Sequence, residues 1–276
     1  MAITAQDVNK LRQMTGAGMM DCKKALVEAD GNFEMAIEIL RKKGQKVSAS
    51  RADRETKEGC IFIKTSDDQK RAVLIAFTCE TDFVAKNEEF QSLGQEILGI
   101  AFDNNPSNIE ELKALKNGEL TIGEQITGLV GKIGEKLDVS SYEILNGETV
   151  VPYIHAGSKL GVLVAMKNAG GENLIATGRD IAMQIAAMSP VAVDRNGIDQ
   201  SILDKEMEIG KEQAREEGKP ENILEKIALG KVNKFIKDST LLSQPFVKDS
   251  SINVAQYLEN VKPGLTVDGF IRISIG

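Results

Sequence analysis

Tryptophan is absent from this 276-residue chain, and histidine occurs once, as His155. A single histidine excludes a histidine-based metal site and a two-histidine acid/base pair. Neither a GxxxxGK[ST] loop nor a GxGxxG segment after a strand is found, so the common phosphate-binding loops are missing. Three tyrosines also leave few aromatic surfaces on which bases could stack. The sequence therefore predicts no catalytic residue, metal ligand or cofactor-binding residue.

Cysteine and long apolar runs are scarce as well. Cys22, Cys60 and Cys79 are odd in number and widely spaced, which suits neither a disulfide framework nor a metal site, so we expect them to be reduced and structural. No apolar stretch approaches the roughly 18 residues of a membrane span, and the amino terminus lacks a basic-then-apolar signal. A cytoplasmic location and no contact with a membrane are the expectations.

Charge is unevenly distributed along the chain. The net charge is −7, yet residues 1–57 carry 11 Lys or Arg against 8 Asp or Glu, which leaves −10 for the remainder. An acidic body argues against direct binding of nucleic acid, because clustered cations are needed to neutralise phosphates. Residues 46–58 are charged and nearly free of apolar side chains, as is typical of a linker, with helix in part of it.

Three short helices are predicted before this linker. The first opens on a threonine cap at Thr4 and ends at the glycine-rich turn 15–18, because glycine accepts a positive φ at little cost. The second is expected from Met19 to Ala29, and the third from Phe33 to Lys43. Adjacent methionines at the start of the second helix, Met19 and Met20, cannot both face one core stripe, so one of them is expected to point outward.

An internal repeat recurs at an offset of 89 residues. Val73–Phe77 matches Val162–Met166, and each run follows another strand-like segment with a polar turn and precedes an amphipathic helix. Two copies of a hairpin plus a helix imply two related α+β lobes. Strands in series with helices on one face favour antiparallel sheets over a doubly wound parallel sheet.

A helical hairpin is predicted between the second repeat and the last strand. Ser201–Glu217 and Glu221–Phe235 are joined by Gly218-Lys219-Pro220, and their apolar stripes are narrow. Such stripes suit packing of helix on helix or on a second subunit, and a satellite of the main core is the alternative. The expected fold class is α+β, with the following divisions: a three-helix head at 1–45, a linker at 46–58, a core N-lobe at 59–138, a core C-lobe at 139–190 and 241–276, and an inserted helical hairpin at 191–240.

The junction after the first repeated strand is the strongest candidate for a site. An acid and an aromatic, Asp82 and Phe83, follow this apolar run, and Asn87 with two glutamates behind it predicts the start of a helix. Asp82 and Phe83 are therefore expected in the connection. One interpretation is a local turn with the phenylalanine folded back as a hydrophobic staple, and the other is a functional surface.

Several segments resemble bacterial translation elongation factor Ts. They are Thr15–Leu26 (TGAGMMDCKKAL), Thr81–Lys86 (TDFVAK) and His155 with the following Leu160–Val164 (LGVLV), and similar segments continue to Gly269–Arg272. The resemblance implies a guanine nucleotide exchange factor for elongation factor Tu. It also implies a ubiquitin-associated-like head, a two-lobed core and an inserted hairpin used for dimerisation.

The resemblance also implies which residues act. The family's Asp-Phe segment intrudes near the magnesium and phosphate site of the GTPase, and it maps here onto Thr81, Asp82, Phe83 and Val84. Partners implied are elongation factor Tu, GDP-bound and nucleotide-free, and a second copy of the chain. The alternative is a ubiquitin-associated-like adapter that binds another protein or RNA. Longer family members continue past the position of Gly276 into a further helix, whose contacts are not carried over. Further partner-contact candidates are Met19, Met20 and Lys23 in the head and His155 in the second lobe.

Overall fold

The structure is a computed structural model that describes residues 3–276. Helices make up 52% of it and strands 23%, and the strands form small sheets, so the predicted α+β class is confirmed. The chain divides into two compact units: the first holds the described residues up to Lys64, Leu74–Tyr142 and Ile275–Gly276, and the second holds Thr65–Val73 and Glu143–Ser274. None of the helices within 3–276 combines the length and the apolar character that crossing a membrane requires.

Helices and strands are numbered in chain order. The α-helices are α1 (Ala5–Thr15), α2 (Met19–Glu28), α3 (Phe33–Arg51), α4 (Asp82–Ala85), α5 (Glu88–Asn104), α6 (Ile109–Ala114), α7 (Ile122–Ile133), α8 (Ile175–Met188), α9 (Gln200–Glu216), α10 (Glu221–Ser239) and α11 (Val254–Val261). The strands are β1 (Glu58–Thr65), β2 (Arg71–Cys79), β3 (Lys116–Asn117), β4 (Leu120–Thr121), β5 (Leu137–Asn146), β6 (Thr149–Ile154), β7 (Leu160–Lys167), β8 (Pro245–Phe246), β9 (Asp249–Asn253) and β10 (Thr266–Ser274).

Local capping chemistry sets the start of the head helices. The Thr4 hydroxyl accepts a hydrogen bond from the Asp7 backbone at 3.2 Å, and the Asp7 carboxylate accepts one from the Thr4 backbone at 3.0 Å. Both partners satisfy amides that a helix start leaves unpaired. Leu11 of α1 and Leu26 of α2 are fully buried in the small core of this head. The threonine cap predicted from the sequence is confirmed.

The third helix is longer than predicted. The sequence suggests an end at Lys43, whereas α3 continues through Gly44 to Arg51. Gly44 lies against α7, where a Cβ atom added to Gly131 would meet the Gly44 Cα at only 2.6 Å. Two glycines thus let α3 and α7 cross closely, and this packing outweighs the weak helix propensity of glycine.

Two small three-stranded sheets carry the core, in the orders β1-β2-β5 and β10-β7-β6. The strands of the second sheet are antiparallel, as predicted, with β7 central and Val164 paired to Phe270 on one side and Val151 on the other. The two-stranded pairs β3-β4 and β8-β9 were not predicted, because strands of two to five residues leave little periodicity to detect.

The repeated strand and helix pack similarly in each unit. In the first unit a Cβ atom added to Gly94 of α5 would lie 2.4 Å from the Phe62 ring of β1. In the second unit the same addition to Gly178 of α8 would lie 2.4 Å from the Val151 side chain of β6. Since Phe62 and Val151 are separated by the 89-residue offset of the repeat, a helical glycine serves each copy at a corresponding strand position.

The helices α9 and α10 form the predicted hairpin. Gly218 has a φ of +73° in the connection, and Leu203 and Val232 are buried between the two helices. A Cβ atom added to Gly210 would approach Ala228 to 3.0 Å, so the helices are close at this level.

Candidate functional site

Asp82 and Phe83 lie in the connection between β2 and α5, as expected, where Asp82–Ala85 forms one turn of helix capped by Thr81. Thr81 is extended, with φ −125° and ψ 154°, and its hydroxyl accepts a hydrogen bond from the Val84 backbone at 3.4 Å. Val84 and Ala85 face inward and are buried. Phe83 is 81% exposed, so the hydrophobic-staple interpretation is wrong. We call residues 81–85 the Asp-Phe turn.

The end of the Asp-Phe turn is anchored to the core of its unit. The Gln91 side chain donates to the Ala85 carbonyl and also lies 2.9 Å from the Cys60 sulfur. Asn87 caps α5, as predicted, by accepting from the Glu89 backbone at 2.9 Å. Because these partners belong to β1 and α5, the turn is fixed to regular structure at its carboxyl end.

The start of the turn is held by residues that follow α7. Gly134, with φ +84°, ends α7, although the sequence suggests that this helix continues to Lys136. The Glu135 carboxylate accepts hydrogen bonds from the Thr81 backbone at 3.0 Å and from the Thr81 hydroxyl at 2.8 Å. In return the Lys136 backbone donates to the Glu80 carboxylate at 2.7 Å. These four residues, Glu80, Thr81, Glu135 and Lys136, form what we call the brace.

The brace also reaches the carboxyl end of α3. The Arg51 guanidinium lies 3.5 Å from the Glu80 carboxylate. The Lys136 ammonium donates to the carbonyls of Ala52 and Arg54 at 2.6 and 2.9 Å. Glu80 and Lys136 thus connect the segment that leaves α3 to the brace, whose other members, Thr81 and Glu135, are hydrogen-bonded to each other.

Asp82 and Phe83 present different chemistry side by side. The Asp82 carboxylate accepts a hydrogen bond from the Lys86 ammonium at 2.7 Å, and this bond lowers the pKa of Asp82 and raises the pKa of Lys86. Asp82 is therefore ionised at neutral pH while remaining exposed. An exposed anion beside an exposed aromatic ring can pair with a cation or polar hydrogen and fill an apolar pocket on a partner.

The cysteines near the turn are buried and free, as expected from the sequence. Burial, with a smaller contribution from the charge of Glu135, raises the pKa of Cys79 to about 12. Burial also raises the pKa of Cys60. Both thiols are therefore protonated at neutral pH, and a thiolate nucleophile is unavailable at these positions. Residues 3–276 hold no group of three or more His, Cys, Asp or Glu side chains placed to bind a metal ion.

The head residues Met19, Met20 and Lys23 lie on α2. Met19 is 50% exposed and Met20 is 63% exposed, so one methionine points outward as expected and the other is exposed as well. The two lie in the first turn of α2, whose buried face is formed by Cys22, Ala25 and Leu26. Three other exposed apolar side chains of the head were not identified from the sequence: Met14, Val27 and Met35.

His155 belongs to the second unit and lies in the turn between β6 and β7. Its backbone donates to the Leu160 carbonyl at 2.9 Å, and its Nδ1 atom is 2.8 Å from the Tyr153 hydroxyl. The imidazole is exposed and held by Tyr153. It is a hydrogen-bonded turn residue whose other ring edge is open to solvent.

Fold and site together define an α+β protein that presents an exposed acid and aromatic pair on a braced turn. The family model described as Elongation factor TS matches residues 80–276, a range that begins one residue before Thr81. The chain is 54% identical to Elongation factor Ts of Amoebophilus asiaticus over 276 residues, which cover 100% of both chains. It is 56% identical to Elongation factor Ts of Cytophaga hutchinsonii over 274 residues, which cover 99% of both.

The chain therefore belongs to the elongation factor Ts family. This membership makes it a nucleotide exchange factor for elongation factor Tu in translation elongation. The resemblance found in the sequence is confirmed.

Proposed function

We propose that the chain binds elongation factor Tu in its GDP-bound form and promotes GDP release by disturbing the Mg²⁺ and phosphate site with Asp82 and Phe83. The observation that carries the proposal is the 81% exposure of Phe83 on a turn that is hydrogen-bonded at one end to Glu135, just after α7, and at the other end to Gln91 of α5. A large aromatic side chain held outside the core, beside an exposed carboxylate, is available to fill an apolar pocket on a partner.

The chemistry needs no bond making by this chain. GDP is held on a GTPase largely through its phosphates and Mg²⁺, so displacing the elements that carry the ion raises the rate of GDP release. Thr81 and Val84 fix the geometry, and Asp82 and Phe83 make the intrusion. By linkage, the exchange factor lowers the affinity of Tu for GDP to the same extent as GDP lowers the affinity of Tu for the exchange factor. Excess GTP then displaces the exchange factor.

Magnitude shows that the Asp-Phe turn cannot act alone. Raising a release rate by about 10⁴ requires about 5.5 kcal/mol of differential stabilisation, whereas burying one phenylalanine supplies about 1.5–3 kcal/mol. Other contacts must therefore hold the turn in place. We assign them to the ubiquitin-associated-like head at 1–45, through Met19, Met20 and Lys23, and to His155 in the C-lobe at 139–190 and 241–276.

Self-association through the inserted hairpin at 191–240 is part of the same proposal. Exposed apolar side chains remain on the hairpin after its helices pack: Ile202, Ile223 and Leu229. Self-association is tested by sedimentation of the free chain and of a variant in which all three residues are changed to serine. An unchanged sedimentation coefficient would reject self-association through these residues. Translation elongation places the proposed activity in the cytoplasm.

The test of the exchange mechanism is release of labelled GDP from elongation factor Tu at substoichiometric amounts of the chain. The double change Asp82→Ala with Phe83→Ala should lose most of the acceleration while retaining part of the affinity for Tu. Phe102→Ala with Asp103→Ala is a matched control, because it removes an adjacent aromatic and acid at the far end of α5. Equal rates for the two double variants would reject the mechanism, and no acceleration by the unaltered chain would reject the exchange function.

The exposed apolar side chains of the head favour a second candidate, a ubiquitin-associated-like adapter for another protein or RNA. Flexible methionines suit surfaces that accept several partners. Met19→Asp with Met20→Asp distinguishes the two functions in the full chain. In the exchange function it should raise the concentration needed for half-maximal GDP release, and in the adapter function exchange should be unchanged.

A further inference from the structure

We infer that Glu135 is a positioning residue for nucleotide exchange, which holds the Asp-Phe turn in the orientation that Phe83 needs. The inference rests on the proposed function of Asp82 and Phe83. It concerns a side chain that is 54 residues away from Thr81 in sequence.

Glu135 makes two hydrogen bonds to one residue of the turn. Both carboxylate oxygens of Glu135 are used, one by the Thr81 backbone at 3.0 Å and the other by the Thr81 hydroxyl at 2.8 Å. Hydrogen bonds to an ionised acceptor are stronger than neutral ones, and two bonds to one residue fix its rotation as well as its position. The hydroxyl in turn accepts from Val84, so Glu135 sets both the first residue of the turn and its cap.

Glu135 is itself well placed to act as a fixed support. Gly134, with its positive φ, redirects the chain out of α7, and the Lys136 backbone donates to Glu80 at 2.7 Å. Side chain and backbone bonds thus cross between residues 80–81 and residues 135–136. Because the bonds join Thr81 to Glu135 and Glu80 to Lys136, they resist sliding of the two segments as well as their separation. A shift of Thr81 would disturb the bonds at both positions.

Glu135→Ala tests the inference, and Glu124→Ala is its matched control. Glu124 makes the same kind of contact at the opposite end of α7, where its carboxylate accepts from the Thr121 backbone at 2.8 Å and the Thr121 hydroxyl at 3.1 Å. Both variants lose a carboxylate that accepts two hydrogen bonds from one threonine, Glu124 within α7 and Glu135 just beyond its end. Only Glu135→Ala should lower the maximal rate of GDP release, by about tenfold, with the half-saturating concentration changed less than about twofold.

Conservative variants separate positioning from general stability. Glu135→Gln retains shape, and the Thr81 hydroxyl can accept from its amide, so it should keep the rate within about threefold of the unaltered chain. Thr81→Val should lower the rate, because its hydroxyl bond to Glu135 is lost, whereas Glu135→Gln keeps a hydrogen bond to that hydroxyl. This pair decides the question even where Glu135→Ala fails to fold, and a full rate for folded Thr81→Val overturns the inference.

A second readout does not depend on exchange. Because the chain has no tryptophan, Phe83→Trp introduces a single reporter at the exposed position. Adding Glu135→Ala should increase the fast component of its anisotropy decay, and adding Glu124→Ala should not. An unchanged decay in both backgrounds overturns the inference.

Coupling between the two residues completes the test. In a Phe83→Ala background, Glu135→Ala should reduce the rate by less than about twofold, since the group it positions is gone. Fully multiplicative losses overturn the positioning role while leaving the exchange function intact. If the unaltered chain itself fails to accelerate GDP release, the proposed function fails and the positioning role fails with it.

Discussion

Phe83→Ala should separate activity from stability more cleanly than other aromatic changes in this unit. Phe83 is 81% exposed, so about a fifth of its surface is covered in the free chain. Full burial of a phenylalanine stabilises by about 1.5–3 kcal/mol, and the covered fraction therefore contributes about 0.3–0.6 kcal/mol. The free energy of unfolding should fall by no more than that.

The same arithmetic gives a different result when the partner is bound. Only the 81% of the side chain that is exposed in the free chain can be newly buried by the partner. If elongation factor Tu buries the whole ring in the transition state for GDP release, the alanine variant therefore loses about 1.2–2.4 kcal/mol, which corresponds to a rate between about 8-fold and about 60-fold lower. Stopped-flow release of a fluorescent GDP analogue at saturating factor measures this rate. Urea unfolding of the free chain measures the stability.

Phe90→Ala provides the contrast. Phe90 is fully buried, and its ring stacks on Phe77 with centroids 4.4 Å apart. Its removal should lower the free energy of unfolding by about 3–5 kcal/mol. A Phe83→Ala variant that exchanges at the normal rate would refute the reasoning about the partner, and one that is destabilised by about 2 kcal/mol or more would refute the reasoning about its exposure.

Three further predictions concern charge, thiols and packing. The pKa of Asp82 is lowered by its hydrogen bond with Lys86. The contribution of this pair to stability is therefore present above about pH 4 and is lost as the pH falls through the folded pKa. In carboxyl-carbon NMR, Lys86→Met should return the pKa of Asp82 towards its usual value, and an unchanged pKa would reject the pairing. The pKa of Cys79 is raised to about 12 from an ordinary value of 9.0. The contribution of the buried thiol to the stability of the folded chain is therefore fully present below pH 9.0 and is lost as the pH rises towards about 12. Ultraviolet detection of thiolate should show no titration of Cys79 near pH 9. Gly131→Ala should destabilise the protein by about 1–3 kcal/mol, because the added Cβ atom would meet the Gly44 Cα at 2.6 Å. Gly128→Ala is the control on the same helix: its Cβ atom would meet nothing within 4 Å, and it should stabilise by about 0.4–1 kcal/mol in thermal unfolding. Equal effects of the two changes would contradict the close crossing of α3 and α7.

Sequence reasoning was most successful where a local contact decides the structure. The caps at Thr4 and Asn87 join groups two or three residues apart, so the residue types themselves predict them. The repeated strands were found because burial imposes a recurring apolar pattern on each copy. Both kinds of signal are contained within short segments of chain.

Two glycines illustrate that the local sequence does not predict where a helix ends. Gly44 and Gly134 each follow a helical pattern, yet α3 continues through Gly44 whereas α7 stops at Gly134. The difference lies in what faces each residue, since Gly44 lies against Gly131 of another helix and Gly134 has open space around it. Neither the close approach of Gly131 to Gly44 nor the open space around Gly134 can be predicted from the ten residues that surround each glycine in the sequence.

The candidate site divides in the same way. Asp82 and Phe83 were identified from their position at a strand-to-helix junction, but the exposure of Phe83 could not be read from sequence, because a hydrophobic staple has the same residue types. Glu135 was missed altogether, since α7 was expected to continue through it. A carboxylate just beyond the glycine that ends a helix was the available signal, although nothing in the sequence connects it with Thr81.

The exposure of Phe83 is best understood together with the two residues that follow it. Val84 and Ala85 are buried in the same helical turn, so covering Phe83 would require a rotation of the turn by about 100° and would move these two residues outward. The two hydrogen bonds from Thr81 to Glu135 oppose that rotation at one end, and Gln91 opposes it at the other. A residue that breaks the local preference for burial therefore remains exposed because distant polar groups hold its backbone, which is the arrangement expected where function and local folding preference conflict.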